Sequence, residues 1–277
     1  MRMLAFAFAA SMLLPAAAQA ATIFGVDENN QVVSFRSTDP TAFLTSKPIT
    51  GTTATFLAID FRDSDGKLYG LGDDYGLYTI NRGTGLATQV AGPLTLAGTN
   101  FGFDFNTVVD MTRVVGNLDD NYVVNPETGV ASQFTDVAFG AGDVNFGRNA
   151  TVSGNGYIHG TATQYAIETS TDLLVTQANN AGTLATVGSL GVAVGPRTSF
   201  DIGYDGVGYL QDVDGFYTVN LGTGAASLVG KTPSSLFAIS SSAVPEPATW
   251  AMMLLGFGAI GSVVRRRRRV EGLPAFA

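Results

Sequence analysis

The chain has 277 residues, no cysteine, and 45% apolar against only 14% charged residues, which excludes thiol catalysis, cysteine metal sites and disulfide bracing and argues for a packed body. Its formal net charge is −8, but residues 21–247 alone hold nine basic and 22 acidic residues, a net charge of −13, so nucleic acid and anionic lipid are not expected partners. The 34 glycines announce many tight turns and, with them, many short strands.

Residues 1–20 read as a signal peptide. Arg2 supplies the positive start, Leu4 to Leu14 an apolar core, and Ala18-Gln-Ala20 the small-x-small pattern after which signal peptidase is expected to cut. This segment implies export.

From Phe56 the pattern becomes that of short strands. Phe56-Leu-Ala-Ile-Asp-Phe, Leu68-Tyr-Gly-Leu, Leu77-Tyr-Thr-Ile and Ala87-Thr-Gln-Val are separated by Asp63-Ser-Asp-Gly66, Asp73-Asp-Tyr-Gly76 and Asn81-Arg-Gly-Thr-Gly85. Alternating β-formers between Asp, Asn and Gly turns predict a four-stranded antiparallel meander. The turn Asn-x-x-Thr-Gly returns at Asn125 to Gly129 and Asn220 to Gly224, after Tyr122-Val-Val and Tyr217-Thr-Val. Tyr165 to Asp172 is expected to be the copy between them, with Glu168 in the asparagine place, and Val33 to Asp39 a shorter copy upstream. A period of roughly 40–50 residues with four strands per unit is that of a β-propeller.

The first unit starts at Ile23-Phe-Gly-Val, which aligns with the second strand of the meander, and Leu236-Phe-Ala-Ile-Ser240 aligns with the first strand but has no unit after it. The last strand is therefore expected to complete the first blade and close the ring. The fold class predicted for residues 21–240 is all-β, a propeller of five four-stranded blades. Six blades are the alternative, because the fourth unit carries extra apolar runs at Leu173-Leu-Val and Thr183 to Val187. A two-sheet sandwich accounts for neither the period nor the split first unit.

Leu-Tyr-Gly-Leu, Leu-Tyr-Thr-Ile-Asn and Asn180-Ala-Gly-Thr-Leu-Ala-Thr-Val-Gly188 resemble a bacterial family known as domain of unknown function 4394, over nearly all of Ala21 to Ser240. The resemblance implies a propeller-like secreted domain and brings no catalytic residues.

One carboxylate recurs in the predicted inner strands, at Asp60, Asp104 and Asp201, with Ser240 in the matching place of the closing strand. In a propeller these stand in one layer about the axis. Clustered carboxylates could hold Ca²⁺ or share acid and base roles in glycoside cleavage; the plainer reading is that each accepts backbone N–H bonds in the turn leaving its strand. No cofactor is otherwise expected. Asp63, Asp65, Asp73, Asp74, Asp119, Asp120, Asp212 and Asp214 are expected to be hairpin-turn residues, and Asp63-Ser-Asp-Gly66 lacks the downstream ligands of a calcium loop. His159, the one histidine, has no second histidine or cysteine to form a zinc site and is expected to be a strand residue with a local hydrogen bond. Tyr75 and Phe216 are candidate glycan-facing loop aromatics.

Residues 241–247 form a linker ending in Val244, Pro245, Glu246 and Pro247; residues 248–264 carry no charge and are long enough for one transmembrane helix; residues 265–277 form a basic tail led by Arg265, Arg266, Arg267, Arg268 and Arg269. Gly256-Phe-Gly-Ala-Ile-Gly261 has the spacing of a dinucleotide loop, but lies inside the apolar run, where that loop has no place. Val-Pro-Glu-Pro, apolar run and arginine cluster together resemble the PEP-CTERM sorting signal of Gram-negative bacteria. The resemblance implies transient anchoring by the C-terminal helix, recognition by an exosortase-type membrane peptidase, and delivery to the cell surface or exopolysaccharide matrix.

The function expected is that of an exported, non-enzymatic propeller with a binding or structural role, extracellular polysaccharide being the candidate ligand. An exported carbohydrate-active enzyme using the axial aspartates is the alternative. A membrane-retained sensor or scaffold requires the tail to stay uncut.

Overall fold

The computed structural model describes residues 20–213, 215–242, 256–258 and 260. Residues 1–19 of the predicted signal peptide, Val244 to Pro247 and Arg265 to Arg269 lie outside the described residues. Of the predicted membrane span, Gly256 to Gly258 and Ile260 are helical and exposed, and among the described residues no helix is long and apolar enough to cross a membrane.

The rest is all-β. The strands run β1 (Thr22–Asp27), β2 (Gln31–Arg36) and β3 (Thr45–Pro48); β4 (Phe56–Phe61), β5 (Leu68–Gly72), β6 (Leu77–Ile80) and β7 (Ala87–Ala91); β8 (Phe101–Asn106), β9 (Met111–Gly116), β10 (Asn121–Val124) and β11 (Ala131–Gln133). Then come β12 (Ala138–Phe139), β13 (Val152–Tyr157), β14 (Gln164–Glu168), β15 (Leu173–Ala178) and β16 (Thr183–Ser189); β17 (Ser199–Ile202), β18 (Gly208–Asp212), β19 (Gly215–Val219) and β20 (Ala226–Lys231); and β21 (Leu236–Ser241). They form five sheets, ordered β21-β1-β2-β3, β4-β5-β6-β7, β8-β9-β10-β11, β13-β14-β15-β16-β12 and β17-β18-β19-β20, here blades 1 to 5. This is a five-bladed propeller. The innermost strands β21, β4, β8, β13 and β17 touch one another in a closed cycle.

The ring closes as the repeat alignment predicts: Leu236 to Ser241 pairs antiparallel with β1 as the innermost strand of blade 1. The apolar runs that left six blades open, Leu173-Leu-Val and Thr183 to Val187, are the third and fourth strands of blade 4. Its fifth strand, β12, pairs parallel with β16 at the outer edge.

Inner strands are flanked by blades on both faces, so they read as nearly unbroken apolar runs; outer strands such as Thr45–Pro48 are exposed and polar. Among the described residues the core divides into five clusters, one at each junction. Val32 of blade 1 meets Phe56 of blade 2, Leu71 meets Phe103, Val115 meets Leu184, Ile167 meets Phe200, and Phe216 of blade 5 meets Phe35 of blade 1. Within blade 2 the glycine of Leu-Tyr-Gly-Leu makes room for the Phe56 ring that packs at this junction: a Cβ on Gly70 would lie 2.5 Å from it.

The Asn-x-x-Thr-Gly turn joins the third and fourth strands. Asn81 Oδ1 accepts the Gly83 and Thr84 amides, Thr84 Oγ1 accepts the Leu86 amide at 3.3 Å, and Gly85 takes φ of 79°, in the left-handed region that glycine tolerates best. The Asn125 and Asn220 turns repeat this geometry. In blade 4 the expected alignment is corrected. Tyr165 to Asp172 is the second strand and the turn after it, and the third-to-fourth turn is Asn179 to Gly182, one residue shorter, with Gly182 at φ of 67°. Glu168 mimics the asparagine because its carboxylate accepts the Ser170 and Thr171 amides in the same way.

Because β21 contributes Leu236, Ala238 and Ile239 to two blade junctions, a chain ending at Ser235 should lose the cooperative thermal transition. A chain ending at Ser242 should melt within roughly 2 °C of the full chain. Circular dichroism melting of both truncations tests this, and retained cooperativity in the shorter chain would show that β21 does not close the ring.

Candidate functional site

Strand alternation turns every second side chain of an inner strand toward the following blade. Asp60, Asp104 and Asp201 occupy equivalent places of this kind in β4, β8 and β17, with Ser240 in β21 and Gly156 in β13. Each of the four side chains reaches the backbone of the next blade. Ser240 Oγ accepts the Phe61 amide at 3.3 Å, Asp60 Oδ2 the Phe105 amide at 2.8 Å, Asp104 Oδ1 the Tyr157 amide at 3.2 Å, and Asp201 Oδ2 the Ser241 amide at 2.5 Å. The fifth clasp is missing because blade 4 has glycine: a Cβ on Gly156 would stand 3.1 Å from the Ile202 nitrogen. The expectation that these aspartates accept backbone N–H bonds holds, but the donors belong to the neighbouring blade and not to the turn leaving each strand.

The three carboxylates also converge. One oxygen from each lies within 4.8 Å of the others, and the residues are only 7%, 5% and 5% exposed. Ser240 Oγ donates to Asp60 Oδ1 at 2.7 Å. Arg113 is directly opposite Asp104 in the β8–β9 ladder, yet its guanidinium turns to Asn121, Asn180 and Tyr157. Burial, with like charge added, therefore holds the carboxyl groups of Asp60 and Asp104 well above the usual carboxylate range, and burial raises that of Asp201. The cluster can share protons, or hold a hard cation: two oxygens on one Ca²⁺ at 2.3–2.6 Å stand up to about 5 Å apart. Asp60, Asp104 and Asp201 would supply three of its ligands.

Below the cluster, at the face where the inner strands end, the axis is crossed by turn residues of three blades. His159 of blade 4 stacks on Tyr204 of blade 5 with ring centroids 3.7 Å apart, and both reach Asp63 of blade 2: His159 Nδ1 lies 3.4 Å from Asp63 Oδ2, and the Tyr204 hydroxyl donates to Oδ1. Burial acts to raise Asp63, but the bonds from His159 and Tyr204 outweigh it and hold this carboxyl below its ordinary value. His159 is thus a turn residue with long-range partners, not the strand residue with a local bond that its flanks suggest.

The other turn aspartates are pins except Asp119, whose Oδ1 is buried without a hydrogen-bond partner. Asp74 Oδ1 accepts the Gly76 amide, Asp65 the Lys67 amide, Asp73 the Thr55 amide, Asp120 the Ala97 and Gly98 amides, and Asp212 the Gly195 amide. Tyr69 and Tyr78 donate to Asp65 and Asp74. Asp214 lies outside the described residues. Phe216 is fully buried in β19 against Phe35 and Tyr209, which removes it as a glycan contact; Tyr75 donates to the Gly98 carbonyl and meets Phe101 edge on.

At the opposite face, where the inner strands begin, the axis opens into a cavity of about 340 Å³. Its walls include Leu57, Phe101, Ser153, Thr198 and Phe237, one from each blade and each three positions before the axial place. Glu28 and Arg197 contribute from the turns above. None of the three axial aspartates lines it. Sequence reasoning missed this site, because Ser153 and Arg197 belong to no motif.

A family profile described as a domain of unknown function (DUF4394) matches residues 31–240, and one described as a PEP-CTERM protein-sorting motif matches residues 243–269. No curated protein sequence matches the chain. Among solved structures it is similar to a chain of a nidogen/laminin complex, at 10% identity, TM-score 0.53 and coverage of 81% of this chain and 98% of that one. It is also similar to a protein of unknown function from Bacteroides thetaiotaomicron, at 14% identity, TM-score 0.50 and coverage of 79% and 60%. A gluconolactonase from Xanthomonas campestris gives 12% identity, TM-score 0.48 and 78% coverage of both chains. At these identities the likeness is one of fold.

Because the axial carboxyls have raised pKa values, the folded chain binds more protons than the unfolded one above the ordinary aspartate value of about 3.9. Stability from the cluster is therefore full in acid and lost as pH rises through the raised values. Asp104→Asn, whose amide oxygen can still accept the Tyr157 N–H, should raise the melting temperature on the alkaline side by roughly 2–4 °C and flatten its fall as pH rises above the ordinary aspartate range. Asp60→Ala should cost about 1–3 kcal/mol by leaving the Phe105 amide unpaired. Melting across pH checks both, and a melting temperature for Asp104→Asn below that of the wild type at pH 8, with added Ca²⁺ raising the wild type but not the variant, would show that a cation and not protons balances the cluster.

Proposed function

The chain belongs to the DUF4394 family, and from that premise we propose that it is an exported, non-enzymatic propeller with a binding or structural role at the cell surface or in the exopolysaccharide matrix. The sorting motif at residues 243–269 marks the chain for export and for handling by an exosortase-type enzyme. In this reading signal peptidase removes residues 1–20, the apolar C-terminal run anchors the chain for a time, and cleavage near Pro247 releases the domain. The strand pairing supports release without unfolding: β21 ends at Ser241, before the motif begins.

The observation that carries the binding reading is the separation of the two ends of the axis. The carboxylates that could serve as acid and base are buried and engaged with backbone amides, while the open cavity is lined by other residues. A glycosidase pair needs one carboxyl group against the leaving oxygen and another against the nucleophile's path, both in contact with substrate. Asp60 and Asp201 spend an oxygen each on holding the next blade. This arrangement favours a structural role for the axial layer and a binding role for the cavity above it.

Mass spectrometry of surface-extracted protein should give a C-terminus near Pro247, and an intact tail would refute processing. Asp60→Asn, Asp104→Asn and Asp201→Asn should each alter thermal melting with no polysaccharide turnover in the wild type or the variants. Turnover that disappears in one variant at unchanged melting temperature would establish the enzyme reading instead.

A further inference from the structure

The cavity above the axis contains an anomaly in the repeat. At the layer three positions before the axial place, blades 1, 2 and 3 present Phe237, Leu57 and Phe101, apolar side chains that close the blades against one another. Blade 5 presents Thr198, whose hydroxyl donates to the Gly195 carbonyl at 2.7 Å and is also bonded to Asp212. Blade 4 presents Ser153. Its residue is 2% exposed and its hydroxyl has no hydrogen-bond partner. A buried orphan hydroxyl costs free energy that alanine or an apolar residue would avoid, and this one lines the cavity.

Two further groups at the same cavity are equally uncommitted. Arg197 lies over the Phe237 ring, its guanidinium carbon 4.8 Å from the centroid, and among the described residues its guanidinium has no hydrogen-bond or ion-pair partner. The ring fixes the plane of the fork without using its N–H donors. Glu28, in the turn between β1 and β2, likewise has no partner for its carboxylate among the described residues, although its backbone N–H is held by the Ser235 carbonyl at 3.0 Å. An orphan hydroxyl at the floor, a free acceptor and a free donor at the rim, and apolar side chains between them meet in about 340 Å³, toward the small end of ligand pockets.

Resting on the binding role proposed above, and naming its ligand class, we infer that this cavity binds one uncharged saccharide residue of an extracellular polymer, with Ser153 Oγ, Glu28 and Arg197 as its hydrogen-bonding partners. Sugar hydroxyls donate and accept at once, so they suit a lining that offers both, and the apolar layer suits the C–H faces of the ring. Charge excludes the neighbouring classes. A polyanionic saccharide would approach a domain of net charge −13 and meet Glu28 and Asp73 beside a single arginine. A lone cation would meet Arg197 in the same space.

The test is calorimetry on the full-length protein with three probes: neutral oligosaccharides from dextran, cellulose and the neutral fraction of hydrolysed exopolysaccharide; oligouronates of matched length; and CaCl₂ alone. A neutral probe should bind, and Ser153→Ala and Arg197→Ala should each weaken it about tenfold, the loss expected when a hydrogen bond to a buried group is removed. Ser153→Leu, which gives blade 4 the residue blade 2 carries, should abolish binding by filling the cavity; Ser153→Ala keeps the test valid if the leucine variant misfolds. Binding of oligouronate or Ca²⁺ alone, of no neutral probe, or of neutral probes equally by wild type and both alanine variants overturns the inference. Cleavage of a bound neutral probe would leave the site standing and defeat the non-enzymatic reading; correct surface delivery without neutral binding would do the reverse.

Discussion

The structure depends on one repeated hydrogen bond, from the backbone of each blade to the axial side chain of the blade before it. Neighbouring blades share no sheet ladder, and the buried contact between them is mostly apolar, which is strong but lacks direction. The axial clasps supply direction. Ser240, Asp60, Asp104 and Asp201 each fix the height and rotation of one blade relative to the next, and the ring is complete except where Gly156 stands. Using carboxylates for this purpose brings three of them together in a buried place. The resulting electrostatic cost is tolerable because protonation or a cation can relieve it, whereas an unclasped amide in the same position has no such remedy.

Much of this arrangement was legible in the sequence because it is repeated. The turn Asn-x-x-Thr-Gly has a chemical meaning at every position, and the orphaned Leu236-Phe-Ala-Ile could be matched to the place that blade 1 lacked. The axial aspartates were visible for the same reason, and only the identity of their donors was not, since pairing between blades leaves no periodic trace. Errors arose where two different solutions look alike in letters. Glu168 caps its turn as Asn81 does, yet one strand earlier, because any short acceptor two or three residues before free amides serves that need. Phe216 comes after a turn in sequence but belongs to a strand whose ring is wanted at the junction between the last blade and the first. The cavity escaped notice altogether: Ser153 matters as a departure from the apolar residues of its layer, and a departure is visible only once the layers have been superposed.

The two faces of the ring differ in kind. At one end the short turns meet over the axis, where Asp63 of blade 2 joins His159 and Tyr204 of blades 4 and 5, neither of them its neighbour. At the other the connections between blades are longer and are drawn back by Asp73, Asp120 and Asp212, which bind their amides and keep them from falling across the opening. The abundance of turn aspartates, which also makes the domain acidic, is thus explained by the geometry of the loops without invoking calcium.

Closure of blade 1 by β21 also sets the timing of folding. A chain threaded through a membrane with its amino end first presents β1, β2 and β3 long before the strand that must cover them, so blade 1 stays incomplete until the whole domain has emerged. The closing contact joins Ile23 to Ser241 at the far end of the domain, about the longest loop the fold can close, and such contacts form late and slowly. The sorting motif comes directly after β21 in the chain. In the proposed export route, the strand whose arrival allows the ring to form is therefore the last of the domain to emerge, immediately ahead of the sorting motif.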